Sequence, residues 1–544
     1  MTMQQTPLLL HTLLSRGAHV APHEAIVNAT ANGVHRQTYA TTSRRARQLA
    51  NALNDAGIGI GDRVGSFLWN HHRHLEMYQG VTSMGAVLHT INIRLGEDDL
   101  EYIINHGGAE IIVVDEDLLP SLEPLAARLA GVRHWIVSSE SGEWQSSLPS
   151  AVDYETFIGT QSAEFEWPEF DENAPLGLCY TSGTTGRPKG VMYTHRSTYL
   201  HSFAEAMTDT MSMSATDSVC AIVPMFHAMA WGLPFTAMML GAKQVFPNRF
   251  MTPSELLDLM VNEEVTLAGG VPTIWQGVRG AIEAQPERWD LSKLDRVLCG
   301  GSAPPPSLLR WFRDALDVEM IHCWGMTETN PLAVVSRQVA KRAHRKLDLN
   351  AQFKNMGKTG LLVPGLEMKI VDDDFEPLAH DGDVFGDLLV KGPWIAGSYY
   401  QDPQPEKFHD GWLMTGDIAR IDAEEYLIIT DRSKDVIKSG GEWISSVDLE
   451  NHICALEGVA QAAVVAQPHP KWDERPVALV VRADASSMTA EDVLQHCGAA
   501  FAKWQIPDEI LFVDQLALTT TGKIDKKTLR ARLAAQSYVL PDLR

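Results

Sequence analysis

Residues 180–190 read Tyr-Thr-Ser-Gly-Thr-Thr-Gly-Arg-Pro-Lys-Gly. Backbone N–H groups around Gly183, Gly186 and Gly190 can close on an anion, and the hydroxyls of Thr181, Ser182, Thr184 and Thr185 add donors. Arg187 and Lys189 supply charge suited to a polyphosphate. The spacing is not the G-x-x-x-x-G-K-[ST] of P-loop NTPases, because Gly190 follows Lys189 where a hydroxyl residue should stand. Glu328 follows Thr327 after a glycine, Asp417 follows Gly416, and Lys523 ends the hydroxyl- and glycine-rich stretch 519–522. A carboxylate suits a hard divalent cation, and a mobile lysine suits a phosphoryl transition state. Taken singly, these residues read equally as a solvated loop, a helix cap, a turn aspartate and an exposed lysine.

The chain that must position them has 544 residues, which calls for at least two domains. It is 45% hydrophobic and 21% charged, as expected of a globular protein. No apolar run is long enough to span a bilayer, and residues 1–20 read as a helix, not as a signal peptide. The C-terminus carries no recognised address tag. Six cysteines without paired spacing point to a reducing cytoplasm. The net charge of −24 argues against a nucleic-acid partner or an anionic membrane surface. A polyanionic ligand must therefore rely on local cations, such as Arg432, Lys434 and Lys438, or Lys523, Lys526 and Lys527.

Up to about residue 430, short apolar runs alternate with helical patterns. Ala46, Leu49, Ala50 and Leu53 fall at helical spacing, and residues 109–114 read as a buried strand. Residues 218–224, 265–270, 295–298 and 319–322 predict further strands, and residues 231–240 a helix. This alternation implies α/β layers with mainly parallel sheets, whose sites gather at strand C-terminal ends. Residues 358–431 change texture to short β runs at 368–371, 386–390 and 426–430, a small antiparallel subdomain. The last stretch is α+β: a capping box at 445–448 opens a helix through Ile453, and 462–466 and 477–481 are strands. The polar turn 431–435 is the candidate boundary, giving domains 1–431 and 432–544.

Several strings, in order, resemble the adenylate-forming enzymes: acyl-CoA synthetases, luciferases and peptide-synthetase adenylation domains. They are residues 180–190, Pro224-Met-Phe-His227 with Trp231, Gly300-Gly-Ser-Ala303, His322-Cys-Trp-Gly-Met-Thr-Glu328, Gly411-Trp-Leu-Met-Thr-Gly-Asp417, Asp431-Arg-Ser-Lys-Asp435, Lys438-Ser-Gly-Gly-Glu-Trp443, Lys503-Trp-Gln-Ile-Pro507 and Thr521-Gly-Lys523. Within that family the chain looks closest to bacterial fatty-acyl-CoA synthetases and 3-methylmercaptopropionate–CoA ligases. The resemblance implies a large N-terminal domain of layered α/β subdomains with a small β subdomain, and a smaller, mobile α+β C-terminal domain. It also implies two half-reactions: a carboxylate attacks ATP to give acyl-AMP and pyrophosphate, then the thiol of CoA takes the acyl group.

The same resemblance assigns roles. Thr181, Ser182, Gly183, Thr184, Thr185 and Lys189 would hold the phosphates. Glu328 and Thr181 would bind Mg²⁺, and Thr327 would contact the α-phosphate. Trp324 would pack on adenine, beside His322, Cys323, Gly325 and Met326, while Gly301, Ser302 and Ala303 would border adenine and acyl group. Asp417 and Arg432 would reach the ribose, and Lys523 would be the catalytic cation. His227 would also act there, and with Trp231, Gly301, Cys323, Met326 and Pro331 would line the acyl site. Lys434 would be the hinge whose rotation brings Lys438, Ser439, Gly440, Gly441, Glu442 and Trp443 to CoA. Residues 517–518 are Ala-Leu where the family often has proline.

No acid lies between Pro224 and Pro234, which argues against an amino acid substrate. A side chain at Cys323, where long-chain relatives carry glycine, implies a short to medium acid, and 3-methylmercaptopropionate would suit Trp231. The expected enzyme is a cytoplasmic homodimer. A longer-chain synthetase, an acyl-AMP ligase, a luciferase-type oxygenase and a non-catalytic nucleotide-binding protein are the alternatives.

Overall fold

The computed structural model describes residues 2–181, 187–440, 442–483, 487–519 and 523–535. The phosphate-loop residues Ser182, Gly183, Thr184 and Thr185, and Gly441, lie outside the described residues.

Among the described residues there are four sheets. The first has seven strands, with Ala109–Asp115 inside it, parallel to its neighbours on both sides. Its near-continuous apolar run is explained by burial on both faces. Helix Tyr39–Asp55 is capped by the Thr38 side chain and buries Ala46, Leu49, Ala50 and Leu53, the stripe its spacing predicts. The second sheet has nine strands, five of them running in parallel register from Lys243–Phe246 through Ser218–Ala221, Leu267–Gly270 and Arg296–Gly300 to Glu319–Gly325. The third is antiparallel and includes Glu367–Val371, Gly386–Lys391, Trp412–Ile421 and Leu427–Arg432. The fourth carries the hairpin Val459–His469 and Asp473–Arg482; the edge of Asp473–Arg482 away from Val459–His469 pairs with Ile437–Ser439 at Asp473 and with Glu509–Phe512 over 477–480, and Glu442–Ile444 pairs with Ile437–Ser439. Helix Ser446–Cys454 packs on Val459–His469. The large α/β part, the small β sheet and the smaller α+β unit expected from the sequence are all present.

Three boundaries differ from the sequence reading. The strand at 218 ends at Ala221, and the one near 265 begins at Leu267. The helix expected from Trp231 starts at Leu233. Before it, Ala228, Met229, Ala230, Trp231 and Gly232 have φ of 42°, 50°, 50°, 59° and 84°. Left-handed backbone costs L-residues roughly 1–2 kcal/mol each, so hydropathy gives no hint of this turn. At residue 445 only half of the predicted box forms: the Ser445 side chain accepts from Asp448 N–H.

Candidate active site

One cavity of about 550 Å³ opens where strands Arg296–Gly300 and Glu319–Gly325 end, beneath the third and fourth sheets. Parallel strand ends of this kind are where open α/β sheets bind ligands. The register pairs Gly300 with Cys323, and both face the cavity. Gly300 must lack a side chain: a Cβ there would lie 2.9 Å from the Trp231 ring and 3.0 Å from the Cys323 carbonyl. Trp231 thus lies flush against the strand end, carried there by the left-handed turn. His227, Met211, Val223, Pro331 and Leu332 complete this apolar side.

The other side is charged. Strands Trp412–Ile421 and Leu427–Arg432 pair antiparallel with Asp417 opposite Arg432, which puts Arg432 Nε 3.6 Å from Asp417 Oδ1. The Trp324 indole donates to Asp417 Oδ2 at 3.2 Å. Burial raises the Asp417 carboxyl above its ordinary range, against the pull of Arg432, the indole and Lys523. Glu328 is buried; the Tyr399 hydroxyl donates to its Oε1 at 2.6 Å, and Oε2 takes no hydrogen bond from the described residues. Lys189 sits over the Tyr399 ring, 5.0 Å from its centroid, and bonds Gln404. Thr181 N–H donates to the Lys189 carbonyl at 2.9 Å, and Lys189 N–H donates back to the Thr181 hydroxyl at 3.2 Å.

Lys523 enters from the fourth-sheet unit. Its Cε comes within 3.1 Å of where a Cβ on Gly301 would be. Burial and the charge of Arg432 pull its ammonium down to about 8, while Asp417 and Glu328 pull the other way. Burial, helped by Lys523 and Arg94, takes His227 down to about 3. The one charge expected along the acyl wall is therefore absent at neutral pH.

Most of the residues named from sequence meet here: Thr181, Lys189, His227, Trp231, Gly301, Cys323, Trp324, Gly325, Met326, Thr327, Glu328, Pro331, Arg432, Lys434 and Lys523 all line the cavity, and Asp417 stands just behind Trp324. Others do not. Ser302 and Ala303 are exposed beside Gly301. His322 is buried off the wall, its pKa lowered to about 4 by burial. Of the predicted CoA loop, Lys438, Ser439, Gly440, Glu442 and Trp443 are all off the cavity. Gly440 N–H donates to the Trp472 carbonyl at 2.8 Å, and Ser439 Oγ accepts from Arg475 at 3.1 Å.

Residues 15–400 match the AMP-binding enzyme family, and residues 448–523 match the AMP-binding enzyme C-terminal domain. The chain belongs to the AMP-binding enzyme family. A 3-methylmercaptopropionyl-CoA ligase of Ruegeria lacuscaerulensis is 43% identical over 97% of this chain and 98% of its own length. A long-chain-fatty-acid–CoA ligase of Thermus thermophilus is 41% identical over 97% and 96%. Among solved structures, the anthranilate CoA ligase AuaEII in complex with anthranoyl-AMP has a TM-score of 0.86 at 26% identity, over 98% of this chain and 100% of that one. These relatives bear out the expectation of an acid–CoA ligase.

Within this AMP-binding enzyme, sequence reasoning missed Tyr399. Its signal was the pair Tyr399-Tyr400 after Gly397-Ser398, polar aromatics in a turn with no apolar period to satisfy. It also missed Met211 and Leu332, which carry no local signal because they reach the cavity only through packing.

Proposed function

We propose that this chain is an ATP- and Mg²⁺-dependent ligase that adenylates a short- to medium-chain carboxylic acid and passes the acyl group to CoA. The observation that carries this reading is the Lys523 ammonium, set over Gly301 and facing Glu328, Asp417 and Arg432 in one cavity. Two anions must meet in the first half-reaction, so fixed cations aimed at the developing charge supply most of the help. Lys523 would bridge the carboxylate and the α-phosphate. Lys189 and Thr181 would hold the outer phosphates with Ser182, Gly183, Thr184 and Thr185. Asp417 and Arg432 would hold the ribose, and Trp324 would pack on the base.

A buried carboxyl with one oxygen held by Tyr399 and no described partner on the other fits a hard cation. Glu328 would hold Mg²⁺ with Thr181, and the ion would neutralise phosphate charge. The Lys438–Trp443 loop, with Gly441, would serve CoA after residues 432–544 rotate about Lys434 against residues 1–431. Six free thiols, five of them buried, support a cytoplasmic setting, and the exposed Phe203 and Met207 support an apolar contact between two copies of a homodimer.

For the acid, Cys323, Trp231, Met211 and Leu332 close the cavity with apolar groups, and neutral His227 adds no charge. A thioether acid such as 3-methylmercaptopropionate suits Trp231. CoA-dependent AMP formation, measured across straight-chain acids from acetate to palmitate plus this acid, tests the reading. The expected optimum is short to medium in the parent, moving to longer acids in Cys323→Gly. Each methylene gained is worth about 0.8 kcal/mol, so a few carbons shift preference strongly. An optimum at palmitate in the parent would favour the longer-chain alternative.

A further inference from the structure

Glu205 and His201 lie one turn apart on helix His195–Ala206, and both are fully buried. Glu205 Oε1 and His201 Nδ1 face each other at 3.8 Å, and neither atom has a hydrogen-bond partner among the described residues. Their other atoms are engaged with the walls of the cavity. His201 Nε2 accepts from Leu332 N–H at 3.2 Å, which leaves the proton of a neutral ring on Nδ1, facing Glu205. The Leu332 carbonyl accepts from the Trp394 indole at 2.9 Å, and that indole stands edge-on to His201. The Thr236 hydroxyl donates to Glu205 Oε2 from the helix that follows the Trp231 turn. The main-chain carbonyl of Glu205 accepts from the Thr210 hydroxyl at 3.1 Å, a contact that does not involve its carboxyl.

The pair also fills the space under the left-handed turn. Gly232 has φ +84°, and a Cβ there would lie 2.9 Å from the His201 ring and 3.1 Å from Glu205 Oε1. A run of left-handed residues persists only where its surroundings over-determine it. Burying a carboxyl and an imidazole is costly unless they are bonded, so an apolar filler would be the cheaper core. Burial holds both groups uncharged, lowering His201 to about 3 and raising Glu205.

We propose that Glu205, acting through His201 and Thr236, is a positioning residue for the acyl pocket: it holds the Trp231 turn and Leu332 at one separation and so tunes which acids fit, without touching them. The inference rests on reading that side of the cavity as the acyl site. The test measures KM for the acid, KM for ATP, kcat and chain-length preference in Glu205→Gln, Glu205→Leu, Gly232→Ala and Trp231→Ala. Glu205→Leu is expected to raise KM for the acid about tenfold and flatten chain-length preference, with KM for ATP unchanged. Glu205→Gln keeps the shape, the carbonyl and the neutrality, and should return both to within about twofold of the parent. Gly232→Ala presses on the pair from the other side and gives the same readout should Glu205→Leu fail to fold. A uniform loss of kcat with acid preference unchanged, or a Gln variant as impaired as Leu, would overturn the role of Glu205. Trp231→Ala separates the two ideas. If it leaves KM for the acid unchanged, the acyl-site reading falls and this inference with it. If it raises that KM while Glu205→Leu and Gly232→Ala do not, Glu205 alone is wrong.

Discussion

Lys523 and the hairpin of Ile437–Ser439 with Glu442–Ile444 belong to the same small α+β unit, yet only Lys523 faces the cavity. Lys523 is half-buried, among the charges of Asp417, Glu328 and Arg432. The hairpin is anchored inside its own unit, by Gly440 on Trp472, Ser439 on Arg475 and Lys438 N–H on Glu474 at 2.9 Å. In this arrangement the hairpin is turned away from the cavity that Lys523 enters. Contacts about residues 431–435 run to both units. Ser433 N–H donates to the Gly416 carbonyl of the third sheet at 3.0 Å, while Asp431 accepts from Ser446 N–H at 2.9 Å and Asp435 pairs with Arg530 at 2.6 Å. Lys434 thus lies between Ser433, bonded to the third sheet, and Asp435, paired with the fourth-sheet unit.

The sharpest way to break the comparison is Lys523→Ala. Adenylation should fall by roughly 10²–10³ or more, because one preorganised cation is lost. Thioester formation from supplied acyl-AMP should be spared, if the other loop serves that step as proposed. Pyrophosphate release and acyl transfer, measured separately, decide it; an equal fall in both with the fold intact would make Lys523 structural.

Lys434→Pro should produce the mirror image. Proline locks φ, and Lys434 N–H donates to no carbonyl among the described residues, so what is lost is rotation, not a hydrogen bond. Overall turnover should drop at least about tenfold, while a single round of acyl-AMP formation stays within about twofold and the adenylate accumulates. Quench-flow analysis of acyl-AMP and thioester gives the answer, and parental turnover would end the rotation idea.

The mildest probe is pH. The Lys523 ammonium, lowered to about 8, is a cation below that pH and neutral above it. Because adenylation needs the cation, kcat/KM for ATP should fall about tenfold per pH unit above roughly pH 8, since this parameter reports the free enzyme. Bound polyphosphate favours the charged form, so the limb in kcat should lie at higher pH. Thioesterification from acyl-AMP should show no such limb. A flat kcat/KM from pH 7 to 10 would remove Lys523 from the first step.

Much of this was legible in the chain itself. Glycine, hydroxyl and cation content at 180–190, the Thr327-Glu328 pair and Lys523 in its loop name the chemistry by residue type alone. A continuous apolar run and an apolar period of 3.6 are local, so they placed a strand at 109–114 and the helix bearing Ala46, Leu49, Ala50 and Leu53. Burial and electrostatics, by contrast, depend on neighbours distant in sequence. Packing alone decided that Arg432, Lys434 and Lys523 face the cavity, while Lys438 does not and Lys526 pairs with Glu450 at 2.8 Å. Packing also turned His322 into the core, neutralised His227, joined Tyr399 to Glu328 across 71 residues and held five consecutive residues left-handed under Trp231. Local sequence sets which conformations a segment prefers; the free energy of burying charge and of sustaining strain is a property of what surrounds it.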